Sequence, residues 1–88
     1  MTLYEGKKGG RYVVCGLYME EGIMRRLQAL GLNDGTLVRI LNRRKKGAMI
    51  IQVRGTRLAL GKHITSGIEI RDSERNDQAE EEDGYDAD

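Results

Sequence analysis

Five short segments of the chain have the composition and the alternating pattern of β-strands. They are rich in β-branched and aromatic residues, and turn-forming Gly, Asn and Asp residues separate most of them. In the third segment Met49, Ile51 and Val53 fall on one face, and in the fifth Ile68 and Ile70 do. The five segments comprise residues 11–17, 36–41, 48–53, 57–60 and 67–71. The pattern therefore predicts a mainly β protein.

One segment between the first two strands has the period of a helix instead. In residues 19–32, MEEGIMRRLQALGL, apolar side chains recur at i, i+4 and i+7. Gly31 suits the left-handed position that ends many helices, and Leu32 would then fold back onto the last turn. Further on, GKHITS has room for one helical turn. We expect the longer helix to pack on the strands through its apolar stripe, which consists of Ile23, Met24, Leu27 and Leu30.

The number and shortness of the strands favour a closed or nearly closed sheet. Five strands within residues 11–71 are too few for two good sheets, and a flat open sheet would expose unpaired edges. Curling into a small barrel removes most of those edges. We therefore predict one domain, residues 1–71, folded as a small SH3-like barrel of about five strands with one short helix inserted after the first strand. An OB-type barrel is the alternative.

The charges are divided between a basic body and an acidic tail. Residues 72–88 carry nine acids against one base, and residues 1–71 carry fourteen bases against five acids, so the net charges are −8 and +9. The tail has almost nothing apolar to bury and is expected to be disordered. Two interpretations of the tail stay open: a solubilising extension, or a weak electrostatic shield over the basic run at residues 43–46 and neighbouring arginines.

That run of four cations stands between the second and third strands, in the segment NRRKKG at residues 42–47. Its simplest interpretation is the solvated turn of a hairpin, with Gly47 supplying the conformation. The alternatives are contact with an acidic protein surface, or with nucleic acid or lipid headgroups. Arginines elsewhere would extend such a surface, so the candidate partner-binding residues are Arg25, Arg26, Arg43, Arg44, Lys45, Lys46, Arg54 and Arg57.

The order of these motifs resembles that of a known family. RRLQALGLNDGTLVRIL is followed by a hairpin and then by VRGTRLALGKHITSGIEI, and this succession over residues 3–71 resembles the FeoA family of ferrous iron transport accessory proteins. LGLNDGT is similar to the family's joint between helix and strand, with Asp34 where the family often has proline. The resemblance implies an SH3-like barrel that works beside the membrane transporter FeoB, whose cytosolic part carries a GTPase. It implies protein binding without catalysis.

Catalysis and metal binding lack the residues that they need in this sequence. Cys15 and His63 are the only cysteine and histidine, and we expect Cys15 to be buried in its β-rich strand and His63 to be inert on a surface turn. A nucleophile needs a base oriented beside it, and an iron or zinc site needs three or four clustered ligands. No glycine-rich phosphate loop occurs. We expect a protein that is not an enzyme and holds no cofactor or metal.

Two further expectations concern location and the alternative function. A single cysteine excludes an intramolecular disulfide, and no apolar run approaches the ~20 residues of a transmembrane helix, so a cytoplasmic location is expected. The basic body motivates a nucleic-acid-binding small β-barrel as the alternative function. Barrels that bind single strands usually stack bases on aromatic side chains. This chain has no Phe or Trp, and its four tyrosines are not interleaved with the basic run.

Overall fold

A computed structural model describes residues 1–73 of the 88-residue chain. The five strands form one antiparallel sheet in the order β4-β3-β2-β1-β5. A 3₁₀ turn, Leu3–Glu5, precedes the first strand. The elements that follow are β1 Arg11–Leu17, α1 Glu21–Ala29, β2 Leu37–Arg43, β3 Met49–Val53, β4 Thr56–Leu60, α2 Lys62–Thr65 and β5 Ile68–Asp72.

This architecture confirms the mainly β prediction, with five strands and one helix inserted after the first. The single helical turn predicted in GKHITS is α2. β2 runs two residues further than predicted, into the basic run, and β5 runs one residue into the predicted tail. The expected disorder of the tail falls, from residue 74 onward, on residues outside the described range. Among residues 1–73, no helix has the length and apolarity needed to cross a membrane.

The core lies on the inner side of the curled sheet. Alternate residues of β1, β2, β3 and β5 point inward, and the predicted inward faces of β3 and β5 are confirmed. The 3₁₀ turn contributes Leu3, α1 contributes Leu27, and Leu32 follows the end of α1. The buried cluster consists of Leu3, Tyr12, Val14, Leu27, Leu32, Val38, Ile40, Met49, Ile51, Val53, Ile68 and Ile70.

The helix uses a narrower apolar stripe than the one predicted. Leu27 is buried and Ile23 packs on the core, but Leu30 is 47% exposed, and Met24 is half-buried outside the core cluster. Leu30 is displaced because α1 ends at Ala29 and the chain reverses at Gly31, where φ is +105°. Leu32 takes the core position, and its N–H donates to the Leu27 carbonyl at 2.9 Å, as the Schellman cap predicts.

β1 contains a β-bulge at Cys15, whose side chain is exposed. Pairing between β1 and β5 shifts by one residue between Val14 and Gly16, so Cys15 is the extra residue. Cys15 is exposed, and the prediction that it is buried is therefore wrong. The apolar composition of the strand was misleading, because Tyr12 and Val14 point inward and simple alternation already puts Cys15 on the outer side.

A second bulge, in β2, turns Arg43 toward the end of the barrel. Pairing between β2 and β3 shifts between Ile40 and Asn42, and Arg43 then pairs with the buried Met49. Its guanidinium donates through Nη1 to the Gly6 carbonyl at 2.8 Å and through Nη2 to the Tyr4 carbonyl at 2.7 Å. It also lies 5.0 Å from the centroid of the Tyr4 ring. Arg43 thus fastens the N-terminal segment over the sheet.

The N-terminal residues are also joined to the edge strand β5. The N–H of Ile70 donates to the Met1 carbonyl at 2.8 Å, and Thr2 forms an isolated antiparallel bridge with Glu69. The Met1 ammonium lies 2.7 Å from the Glu69 carboxylate, and this hydrogen bond raises the pKa of the amino group. These contacts cover the part of β5 that would otherwise present a free edge.

Leu27 lies in the core and Leu30 at the surface, and this difference predicts a contrast in stability between their alanine variants. Leu27→Ala removes a core side chain and should lower the free energy of unfolding by ~2–4 kcal/mol. Leu30→Ala makes the same chemical change at an exposed site and should cost well under ~1 kcal/mol. Urea unfolding of both variants measures the difference. Equal costs would contradict the observed end of α1.

Arg43 and its neighbour Arg44 provide a second matched pair. Arg43→Gln removes two charge-assisted hydrogen bonds to backbone carbonyls, and we expect a loss of ~1–2 kcal/mol. Arg44→Gln alters a cation at the exposed turn and should leave the unfolding midpoint nearly unchanged. Thermal or urea unfolding distinguishes the two, and an Arg43→Gln protein as stable as the unmodified chain would refute the fastening role.

Candidate interaction surface

The structure distributes the predicted basic residues over separate places. Residues 44–47 form the turn between β2 and β3, in which the Gly47 N–H donates to the Arg44 carbonyl at 3.1 Å and Gly47 has φ +96°. The expected hairpin turn is therefore confirmed, and Arg44, Lys45 and Lys46 are exposed there. Arg43 is exposed as well, but it is the last residue of β2, and its guanidinium is hydrogen-bonded to the carbonyls of Gly6 and Tyr4.

The other predicted cations lie away from this turn. Arg54 is in the two-residue turn between β3 and β4, at the opposite end of β3, about 16 Å away. A Cβ added at Gly31 would lie 2.9 Å from Cδ of Arg54, so the aliphatic part of Arg54 packs against the end of α1. Arg25 and Arg26 are exposed on α1, where Arg25 Nη2 lies 2.6 Å from Glu21 Oε2. The eight predicted residues therefore do not form one surface.

A different set of arginines is brought together on the outer face of the sheet. The strand registers pair Arg11 with Arg39, Arg39 with Gln52, and Gln52 with Arg57. These four positions form a line across β1, β2, β3 and β4, which we call the arginine row. Directly paired residues on one face have neighbouring side chains, so the row is a strip about 14 Å long in which the neutral Gln52 separates Arg39 from Arg57.

Arg71 lies next to the arginine row on the same outer face, since it pairs with the outward-facing Val13. Sequence reasoning identified Arg57 alone among these arginines. The alternation of Val38 and Ile40 with Arg39 was a usable signal that Arg39 faces outward. The meeting of Arg39 with Arg57 depends on strand order and register, which were not deduced from the sequence.

An open groove lies where β1 approaches α1. It encloses about 410 Å³ and is lined by Cys15, Gly16, Leu17, Tyr18, Met24, Gln28 and Asp34. The Tyr18 side chain is 71% exposed, yet its ring lies against Gly16, where an added Cβ would come within 2.8 Å of it. The Tyr18 N–H donates to the Gly67 carbonyl at 2.7 Å, which fixes the start of the connection to α1. We call this feature the β1–α1 groove.

The one cysteine and the one histidine of the sequence lie on different elements, Cys15 on β1 and His63 on α2. Cys15 is an exposed thiol whose Sγ donates to the Val13 carbonyl at 3.8 Å. His63 is exposed on α2, in agreement with the expected surface position. Within residues 1–73, no three His, Cys, Asp or Glu side chains come together as a metal site would require. The groove offers apolar and aromatic contact, and the arginine row offers charge.

Taken together, the curled five-stranded antiparallel sheet and the helix α1 inserted after its first strand define a small SH3-like barrel. The family model for the FeoA domain matches residues 1–72, nearly all of the described chain. The chain therefore belongs to the FeoA family, whose members are accessory proteins of ferrous iron transport.

Individual relatives agree with this assignment. A protein of Methanocaldococcus jannaschii, provisionally named Fe(2+) transport protein A, is 29% identical over 68 residues, which are 77% of this chain and 82% of that protein. The solution structure of FeoA from Chlorobium tepidum superposes with a TM-score of 0.77 at 29% identity, covering 81% of this chain and 69% of that one.

The crystal structure of Stenotrophomonas maltophilia FeoA in complex with zinc is also similar, with a TM-score of 0.72, 28% identity and coverage of 81% of this chain and 89% of that one. That protein is described as a procaryotic SH3 domain protein and a candidate activating factor of ferrous iron transport.

Proposed function

We propose that this chain is a small cytoplasmic protein-binding module of a ferrous iron uptake system. It would bind the cytosolic, GTPase-bearing part of a FeoB-like membrane transporter and influence uptake without catalysis or a cofactor of its own. Family membership supports the transport role, and the β1–α1 groove supports protein binding.

The exposed Tyr18 beside the groove is the observation that carries the proposal. An aromatic ring with 71% of its surface in water has little structural benefit for the free protein, whereas Tyr and Met are enriched at the centres of protein interfaces. Leu17 and Met24 supply apolar walls, and Gln28 and Asp34 add polar groups at the edge. A partner side chain could be enclosed there with hydrogen bonds around it.

One of the predicted cations fits this location. Met24 and Gln28 are one turn apart and line the groove, and helix geometry puts Arg25 beside Gln28 at its rim. Arg26 lies on the opposite side of α1. Arg25 is therefore the member of the predicted basic set that we assign to the rim of the partner site, with Glu21 as its ion-pair neighbour.

The alternative function, binding of nucleic acid through the basic surface, has weaker support. The arginine row would attract phosphates, but a single-strand site also needs aromatic rings beside the cations. Tyr12 is buried in the core, and the Tyr4 ring lies beneath Arg43 and Lys62, whose charged groups are 5.0 and 5.1 Å from its centroid. Neither ring is available for stacking against a base next to the row.

The proposal is tested by binding to the purified cytosolic region of the FeoB-like transporter from the same source. Tyr18→Ala should weaken binding about tenfold or more, because it removes a central aromatic contact. Leu30→Ala is the matched control, since it truncates an exposed apolar side chain away from the groove. Titration calorimetry gives both affinities, and circular dichroism checks the fold. Binding that is unaffected by Tyr18→Ala, or absent from the unmodified chain, would contradict the proposal.

A further inference from the structure

The two edges of the sheet differ in how their backbone groups are satisfied. At the β5 edge, the N–H of Ile70 donates to the Met1 carbonyl and Thr2 bridges Glu69, so the N-terminal residues cover that edge. β4 forms the other edge and pairs with β3 alone. Within residues 1–73, no backbone hydrogen bond reaches the open side of β4.

The turn before β4 determines which backbone groups of the strand are bonded to β3. Arg54 and Gly55 both have positive φ, +51° and +81°, and form a two-residue hairpin turn. A turn of this kind is closed by a hydrogen-bonded pair, which here is Val53 with Thr56. Since hydrogen-bonded and non-bonded pairs alternate along an antiparallel ladder, this first pair fixes all the others.

Bonded and unbonded residues therefore alternate along β4. Leu58 and Leu60 follow Thr56 at intervals of two and also bond to β3. The N–H and C=O groups of Arg57 and Ala59 point away from β3. The edge thus offers the donors and acceptors of these two residues at the spacing of a β-ladder.

β4 lacks several features that protect an edge strand. Its register with β3 continues without a shift, in contrast to the bulged pairings of β1 with β5 and of β2 with β3. The chain has no proline, and among residues 1–73 no atom comes within 4 Å of a Cβ built on Gly61, directly after the strand. Natural edges are commonly bulged, covered or interrupted by proline. The β4 edge is therefore open to another strand.

The two faces of β4 define the chemistry of such a strand. On the outer face, Arg57 is exposed at the end of the arginine row, and no acidic side chain of residues 1–73 pairs with it. On the inner face, Leu58 and Leu60 pack on the core but stay half-buried. An added strand places alternate side chains beside Arg57 and beside the leucines. Acidic residues suit the first position and apolar residues the second.

We propose that the β4 edge binds an extended segment of a partner protein in which acidic and apolar residues alternate. The segment pairs antiparallel with β4, as all neighbouring strands of this sheet do, through the free backbone groups of Arg57 and Ala59. Its acidic side chains lie opposite Arg57 and continue the arginine row, and Arg39 adds to the attraction. Backbone bonds supply affinity in this mode, and alternate side chains supply specificity.

Charge disfavours a second copy of the chain at this edge. Two β4 strands paired about Leu58 place Arg57 of each copy opposite Ala59 of the other, and the two arginine rows then adjoin on one face. Like charges repel there, whereas acidic side chains neutralise the row. The β4 edge also shares no residue with the β1–α1 groove, so the inference goes beyond the transporter contact and does not depend on it.

Amide hydrogen exchange of the full-length, isotope-labelled chain tests the proposal, with the peptide Glu-Val-Glu-Val-Glu-Val as the probe. In the free chain, the amides of Arg57 and Ala59 should exchange fast and those of Leu58 and Leu60 slowly, because only the leucines are bonded to β3. Saturating peptide should slow exchange at Arg57 and Ala59 about tenfold or more. Binding that leaves these two amides in fast exchange would overturn the proposal.

Two peptides of matched length separate strand pairing from simple attraction. Glu-Glu-Glu-Val-Val-Val has the same composition without alternation, and Lys-Val-Lys-Val-Lys-Val has the same alternation with the opposite charge. Both should bind about tenfold or more weakly than the alternating acidic peptide. Equal binding of the block peptide would mean diffuse attraction, and equal binding of the lysine peptide would mean that Arg57 selects nothing. Each result contradicts the proposed partner.

Variants of the edge test the contact from the side of this chain. Ala59→Pro removes an outward N–H at a position where an edge strand accommodates proline, and it should abolish binding. Ala59→Val keeps the N–H and is the matched control, which should bind like the unmodified chain. Arg57→Gln should weaken binding about threefold or more while the alternating protection persists. An Ala59→Pro protein that binds the acidic peptide normally would refute the pairing.

Methylated peptides keep the test decisive should Ala59→Pro fail to fold. A glutamate opposite Arg57 in a hydrogen-bonded pair directs its own N–H toward β4, whereas the valine nitrogens face away. Methylation of the glutamate nitrogens should therefore abolish binding, and methylation of the valine nitrogens should be tolerated. Equal effects of the two modifications would exclude strand addition.

Other occupants of the edge leave distinct signatures in the chain without peptide. Slow exchange at Arg57 and Ala59 that disappears on dilution would show that a second copy holds the edge. Slow exchange that persists at every dilution would show that the chain covers the edge itself. Either observation would overturn the proposal, which requires fast exchange in the free chain and protection by the alternating acidic peptide.

Discussion

Two β-bulges determine which side chains of the central strands face the core and which face solvent. Without the shift at Cys15, Leu17 would leave the core side of β1, and Gly16 would not lie beneath the Tyr18 ring. Without the shift in β2, Arg43 would point outward rather than over the 3₁₀ turn. Beyond each bulge, the side chains that would otherwise face the core face outward, and those that would face outward face the core.

The positions of the arginine row and of the β1–α1 groove depend on which side chains of β1 and β2 face outward. Before the bulges, β1 and β2 present Arg11 and Arg39 in register, and this pairing starts the arginine row. After the bulge in β1, the strand end and the connection to α1 form the groove around Tyr18. The barrel thus carries two different features, a basic row on the outer face of the sheet and an open groove with apolar, aromatic and polar lining. A domain of this size can hold both because neither requires a deep cavity.

Much of the fold could be predicted from local patterns, but the details that depend on tertiary pairing could not. Alternation identified the inward faces of β3 and β5, and the Gly31 cap was recognised from its sequence. Leu30 was placed in the core because a period of 3.6 does not show where a helix ends. Arg43 was assigned to the exposed turn because the bulge before it leaves no clear mark in the sequence. The arginine row could not be predicted without knowing the registers of three strand pairs together.

We propose that the β1–α1 groove, and not the basic turn, binds the transporter. Mapping of backbone amide shifts, with the isotope-labelled full-length chain titrated by the cytosolic region of the FeoB-like transporter, tests it most directly. The account predicts that the largest changes occur at Cys15, Leu17, Tyr18, Met24 and Gln28. Changes confined to residues 44–47, with the groove signals unmoved, would contradict it.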